Sequence, residues 1–287
     1  MGKSTSKLWD VDPFGKYKHE DYRQEITVIQ DQSASISPNR KHRIVVCACS
    51  KDGKSSSINA ILASLEGKLA HAANVGGLDQ HVTRECIEYK MLIGDAKDTS
   101  YQICDTPGLR DGITEDEGKV QAQAIIAVIN GKFQSGDEID YKKLTVAALE
   151  EMKKKTDCAV CVLFVIDVRK VKNGAIDHSM AFKSMMSILE FVQGKDIKVA
   201  CLLTHCDELD DAVKQNTRNI CKSTLVEEAR QILSKKFRGF PLNRIFPIAN
   251  CTDKLNVNDD MMVQNLFAVK YIMTDILANL RKRVVAD

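Results

Sequence analysis

The segment Ala48-Cys-Ser-Lys-Asp-Gly53-Lys54-Ser55 constrains this chain more than any other. It fits the pattern G-x-x-x-x-G-K-[ST] at every fixed position but the first. An apolar run, His42–Cys47, precedes it, and Ile58, Leu62 and Leu65 follow at helical spacing. A strand, a tight loop and a helix start in that order form an anion cradle. Backbone N–H groups wrap a phosphate, and the helix end adds favourable partial charge. The candidate phosphate contacts are Ser50, Lys51, Asp52, Gly53, Lys54 and Ser55. Lys54 would bridge the β- and γ-phosphates, and Ser55 would ligate Mg²⁺. Ala48 puts a methyl where glycine eases the turn, so binding is expected to be weakened at worst. Taken alone, the segment also reads as a helix start that happens to contain Gly-Lys-Ser.

Around this loop, strand and helix patterns alternate to the end of the chain. Strands are predicted at 42–47, 83–93, 101–105, 158–167, 197–204 and 244–249. Helices are predicted at 20–30, 55–65, 118–129, 178–193, 224–237 and 259–283. This rhythm implies an α/β fold of the P-loop NTPase type, GTPase-like, with a largely parallel sheet and helices on both faces. With 287 residues, 44% of them hydrophobic, the chain supports one large domain or a domain with a small appendage. Residues 1–40 read as a partly irregular N-terminal segment. Residues 41–287 read as a nucleotide-binding domain with a C-terminal helix. The run Lys153-Lys-Lys155 reads as the solvated end of a helix, and the segment from Gln134 to Lys155 as either an added helix or a partly ordered insertion.

Three further signals fall at predicted strand ends, where ligands of open α/β sheets bind. Asp105-Thr-Pro-Gly108 follows a short strand. There Asp105 would hold Mg²⁺ through water, and the N–H of Gly108 would sense a γ-phosphate whose loss releases the loop. A Pro-Gly turn after a strand is the plainer reading. Thr204-His-Cys-Asp207 resembles [NT]-K-x-D. The Asp207 carboxylate can accept from guanine N1–H and its exocyclic amine, a donor pair adenine lacks, and His205 could lie against the base. Ile248-Ala249-Asn250 resembles a weaker motif in which a backbone N–H meets guanine O6. Thr83 is the candidate threonine ligand of Mg²⁺. The implied cofactors are GTP or GDP and Mg²⁺. No catalytic residue is assigned: Leu109, not glutamine, follows Gly108, and leucine orients no water. Slow hydrolysis is expected, assisted by a partner or a second copy, since a supplied arginine is worth about 10³–10⁵ in rate.

Composition excludes several classes. A net charge of +2, from 41 basic and 39 acidic side chains, gives no reason to expect nucleic-acid binding. The longest apolar stretch, Cys158–Ile166, is too short for a membrane-spanning helix, and no secretory leader is read at the start. Ten cysteines are scattered without metal-ligand spacing. Cys158 and Cys161, an odd number apart in a strand, should face opposite ways as free thiols. These features point to a reducing, cytoplasmic setting. The Asn250-Cys-Thr252 acceptor pattern is then without meaning.

With these motifs in place, the chain resembles the interferon-induced protein 44-like family. The shared features are Trp9 and Asp21-Tyr-Arg-Gln-Glu25 before the first strand, Ser56-Ser-Ile-Asn59 after the loop, and His81-Val82-Thr83. Ile248-Ala-Asn-Cys-Thr252 and a long last helix complete the likeness, with Gln80 and Ala48 where the family has glycine. The resemblance spans roughly residues 8–280 and implies a cytosolic GTP-binding protein of innate antiviral or immune responses. AIG-type and septin-like GTPases share the apolar residue after the Asp-x-x-Gly motif.

Met1-Gly2-Lys-Ser-Thr-Ser6 fits the N-myristoylation pattern at Gly2. One acyl chain gives a membrane affinity of only about 10⁴ M⁻¹, so peripheral contact would need the nearby lysines as well. A disordered, acetylated start is the alternative. Three readings of the whole remain open: a weakly hydrolysing GTP switch, a nucleotide-independent pseudo-GTPase scaffold, and an ATP-binding P-loop protein.

Overall fold

The structure is a computed structural model that describes residues 13–15, 18–67, 84–93, 98–249 and 259–286. In chain order its elements are α1 (His19–Ile36), β1 (His42–Ala48), α2 (Lys54–Glu66), β2 (Ile87–Lys90), β3 (Tyr101–Asp105), α3 (Glu115–Ile129) and α4 (Val146–Glu151). Then come β4 (Ala159–Asp167), α5 (Val168–Lys172), α6 (Met180–Gln193), β5 (Lys198–Thr204), α7 (Cys206–Leu209), α8 (Asp211–Gln215), α9 (Thr224–Lys236), β6 (Ile245–Pro247) and α10 (Asp259–Ala286).

The six strands form one sheet in the order β2-β3-β1-β4-β5-β6. Every pairing is parallel except the edge hairpin of β2 with β3. Both faces are covered, so the central strands are buried and mostly apolar. Val45, Cys47, Phe164, Cys201 and Leu203 pack beneath α3, α6 and α9. Ile44, Val46, Leu163, Ala200 and Leu202 pack beneath α1, α2 and α10. The expected fold class is the one observed. All parallel strands end on the same edge, so their C-terminal loops converge there.

Several expected boundaries shift. The first helix runs on to Ile36, because Ile26, Ile29 and Ser33 bury against the sheet and α10. Arg23 Nε donates to Ser64 O at 2.9 Å, and Ser33 Oγ bonds Tyr101 Oη at 2.7 Å. The strand expected at 83–93 is confined to Ile87–Lys90. The segment Gln134–Lys155 is ordered. Its backbone pairs with the start of the β2 hairpin through Cys86 N–Asp137 O at 2.9 Å and Ile139 N–Arg84 O at 2.7 Å. Lys153–Lys155 are exposed and follow α4 rather than ending it, and Lys155 pairs with Asp137 at 2.8 Å. Arg281 lies inside α10 and donates to Gln32 Oε1 at 2.8 Å.

Arg43, fully buried in β1, fastens this corner. It donates to Glu88 Oε1 at 2.8 Å, Val128 O at 3.1 Å, Asp157 O at 2.8 Å and Phe133 O at 3.2 Å. Cys158 donates to Asn130 O at 3.4 Å, whereas Cys161 belongs to the α10-side core, so the two thiols are separated as expected. Burial pushes the Cys161 thiol up to about 12.

His42 begins β1, fully buried and 4.9 Å from the Tyr101 ring. Burial first, and the Arg40 charge second, lower its imidazole to about 4 from 6.5. Between those values the unfolded chain takes up a proton and the folded one does not. Stability is therefore complete above pH 6.5 and falls as pH drops toward 4, by roughly 3 kcal/mol in all. Urea unfolding at stepped pH should show wild type losing more stability than His42→Gln across this window. Parallel curves would exclude the account.

Candidate functional site

The loop after β1 has the shape expected of an anion cradle. Lys51 and Gly53 are left-handed, with φ of 70° and 81°, conformations that bend a chain tightly and turn successive N–H groups to one side. Gly53 also serves as the N-cap of α2. Among the described residues, the N–H groups of Lys51, Gly53, Lys54 and Ser55 have no acceptor; the last two are first-turn groups that a helix leaves unpaired.

The loop is anchored from below. Thr204 Oγ1, at the end of β5, shares its one proton between Asp52 O at 2.9 Å and Ile166 O at 3.2 Å, the former the closer. In a planar trans peptide the C=O and N–H point opposite ways. Holding Asp52 O therefore turns the Gly53 N–H away from the sheet. Thr204, expected at the base, thus acts on the loop.

Lys54 and Asp105 meet as a buried ion pair, 8% and 1% exposed. Thr106 Oγ1 donates to Val46 O at 2.7 Å and Tyr141 Oη to Pro107 O at 2.9 Å, which fixes the turn. Gly108 runs so close to the loop that a Cβ would lie 3.3 Å from Ser50 Cα. Leu109 is fully buried and zipped to the loop, with Leu109 N–Ala48 O at 2.9 Å and Ser50 N–Leu109 O at 2.8 Å. The polar residues that follow have structural duties. The Arg110 backbone is held by the Gln121 side chain, Asp111 Oδ1 caps the start of α6 through Ser179 Oγ at 2.7 Å and Ala181 N at 3.0 Å, and Thr114 caps α3.

At the base end, His205 is left-handed, with φ of 59°, and its Nδ1 lies 2.8 Å from Glu208 Oε1. Asp207 follows in α7, half-buried. The Ala249 N–H is directed at Gln264 Oε1, 3.3 Å away. Asn250, Thr83 and Gly2 lie outside the described residues. Ser50, Lys51, Asp52, Gly53, Lys54, Ser55, Asp105, Gly108, Thr204, His205 and Asp207 all gather on the C-terminal edge of the sheet.

Sequence reasoning missed the charged group after β4. Asp167 pairs with Arg169, Arg169 with Glu208, and Lys170 with Asp52. Asp52 is 1% exposed, and burial raises its carboxyl to about 6 against the pull of Lys170. The run Asp167-Val-Arg-Lys170 at a strand end was the available signal. Serine, one carboxylate and a lysine beside free N–H groups suit a nucleotide phosphate with Mg²⁺, an ion that takes one or two protein oxygens and completes its shell with phosphate and water. Ser55 and Asp105 would hold it.

The profile of a family described as 50S ribosome-binding GTPase matches residues 43–201. Interferon-induced protein 44 of Homo sapiens is 25% identical over 235 residues, 79% of this chain and 51% of that protein, and its Pan troglodytes counterpart matches to the same extent. The chain spans about half the length of the curated relatives it matches. Among solved structures, a probable GTP-binding protein engB has 19% identity and a TM-score of 0.43, covering 82% of this chain and 98% of that one. Toc33 from Arabidopsis thaliana in complex with Mg²⁺ and GMPPNP has 15% identity and a TM-score of 0.44, covering 93% and 96%. Among the described residues, no helix is long and apolar enough to cross a membrane. The likeness to interferon-induced protein 44 read from the motifs is thus recovered by direct comparison, and, with more than half its length inside the profile, the chain belongs to the 50S ribosome-binding GTPase family.

Proposed function

We propose that this protein is a Mg²⁺-dependent guanine-nucleotide switch with slow intrinsic hydrolysis, acting in the cytoplasm in innate antiviral or immune responses. The observation that carries the reading is the convergence on one edge of a bent loop whose N–H groups find no acceptor among the described residues, the Lys54–Asp105 pair and the Thr204 tether. Mg²⁺, when bound, supplies charge neutralisation at the phosphates. Lys54 would turn from Asp105 toward the β- and γ-phosphates, leaving Asp105 to the metal. Gly108 would report the γ-phosphate, and Asp207 would select guanine. Leu109 is buried, and Asp111 and Thr114 are engaged in capping helices, so none of these three side chains is placed to orient water. That supports slow hydrolysis, with the missing charge coming from another protein or a second copy.

The scaffold reading has one observation in its favour: Leu109 O already takes the Ser50 N–H, so the loop is partly closed by the protein itself. Titration with fluorescent GTP and ATP analogues, with and without Mg²⁺, separates the two. Saturable, Mg²⁺-dependent binding that GTP displaces and ATP does not is the expected outcome. A folded protein that binds neither analogue would leave the scaffold.

A further inference from the structure

We propose that Lys170 is a positioning residue for the phosphate loop, acting through an ion pair with Asp52 beneath it. This rests on the nucleotide reading above and adds a part to the site. Lys170 lies in α5, directly after β4, and is 118 residues from its partner. Its Nζ pairs with Asp52 Oδ1 and lies 3.4 Å from Ser50 O.

Two consequences follow from elementary chemistry. The first concerns charge. A carboxylate buried under an anion-binding loop opposes the phosphate the loop would hold, and a buried charge is tolerated only when paired. Lys170 neutralises it. The second concerns direction. Holding Ser50 O toward Lys170 turns the Lys51 N–H the opposite way, because the peptide is planar and trans. That N–H has no acceptor among the described residues. Lys51 sits at φ 70°, a conformation disfavoured for a residue with a Cβ, and the Lys170 contact offsets that preference. Thr204 does the same for the next peptide but one through Asp52 O. The two tethers together aim Lys51 and Gly53 N–H away from the sheet, into the cradle.

The test uses the full chain with three variants: Lys170→Met, Asp52→Asn and the double variant. Affinity for fluorescent GDP with Mg²⁺ should fall at least about tenfold in Lys170→Met, which strands the Asp52 charge. The double variant should recover most of that loss, so that the two substitutions are strongly non-additive. Phosphorus NMR of bound GDP should show the β-resonance displaced in Lys170→Met and the α-resonance little changed, a signature that general loosening of the fold does not produce. Hydrogen exchange without nucleotide should quicken at residues 49–55 in Lys170→Met alone, with thermal unfolding checked alongside. Wild type that binds while Lys170→Met binds within twofold, with an unmoved β-resonance, would overturn the brace and leave the switch intact. Wild type that binds no nucleotide would overturn both.

Discussion

Lys54→Ala should reduce affinity for GTP at least about a hundredfold. Two losses coincide in that substitution. The phosphate loses its lysine, and Asp105, 1% exposed, loses the cation that makes its burial tolerable. Removing one partner of a buried pair costs about 3–5 kcal/mol. The nucleotide-free variant should therefore also unfold at lower temperature. Adding Asp105→Asn should restore stability without restoring binding, because the stranded charge is gone while the phosphate contact remains absent. Calorimetric unfolding of the three proteins beside fluorescent-GTP titration separates the two effects. If Lys54→Ala binds GTP within a fewfold of wild type, the loop is not a phosphate site.

Asp207→Asn is the second large effect. The carboxylate presents two acceptors suited to guanine N1–H and its amine, and each charge-assisted hydrogen bond is worth about 1.5–3 kcal/mol. GTP affinity should fall by roughly 10²–10³, and xanthosine triphosphate, with a carbonyl in place of the amine, should bind the variant better than wild type does. Thermal stability should change little, since Asp207 is half-buried on a short helix at the sheet edge. Competition of each triphosphate against a fluorescent analogue gives the ratio. An unchanged ratio would show that Asp207 does not read the base, and ATP competing equally with GTP in wild type would end the claim to selectivity.

Much of the site was legible because its parts are local. Gly53, Lys54 and Ser55 are adjacent, and a loop between an apolar strand and a helix has few shapes open to it. Asp105 and Asp207 could be flagged because each ends an apolar run, and parallel strands deliver their C-terminal ends to one edge. Thr204 was assigned to the base, and its contact with the loop went unread, since a side chain's partner depends on which neighbour the sheet brings beside it. The Ile248-Ala249-Asn250 motif was read as offering a backbone N–H, and the Ala249 N–H is turned toward Gln264 of the last helix. Asp167, Arg169 and Lys170 went unread: charges at a strand end look alike in sequence whether they meet solvent or another strand's loop.

Read alone, the sequence determined the alternation of strands and helices, the parallel sheet buried on both faces, and the position of the phosphate loop. Those follow from hydrophobic period and from glycine chemistry, which act over a few residues. Only the tertiary structure decided that the first helix extends to pack on the last, that Gln134–Lys155 pairs with the edge hairpin, and that Lys170 neutralises Asp52. Such pairings join residues far apart in the chain, and which charge is buried beside which depends on strand order and register, quantities that no local pattern encodes.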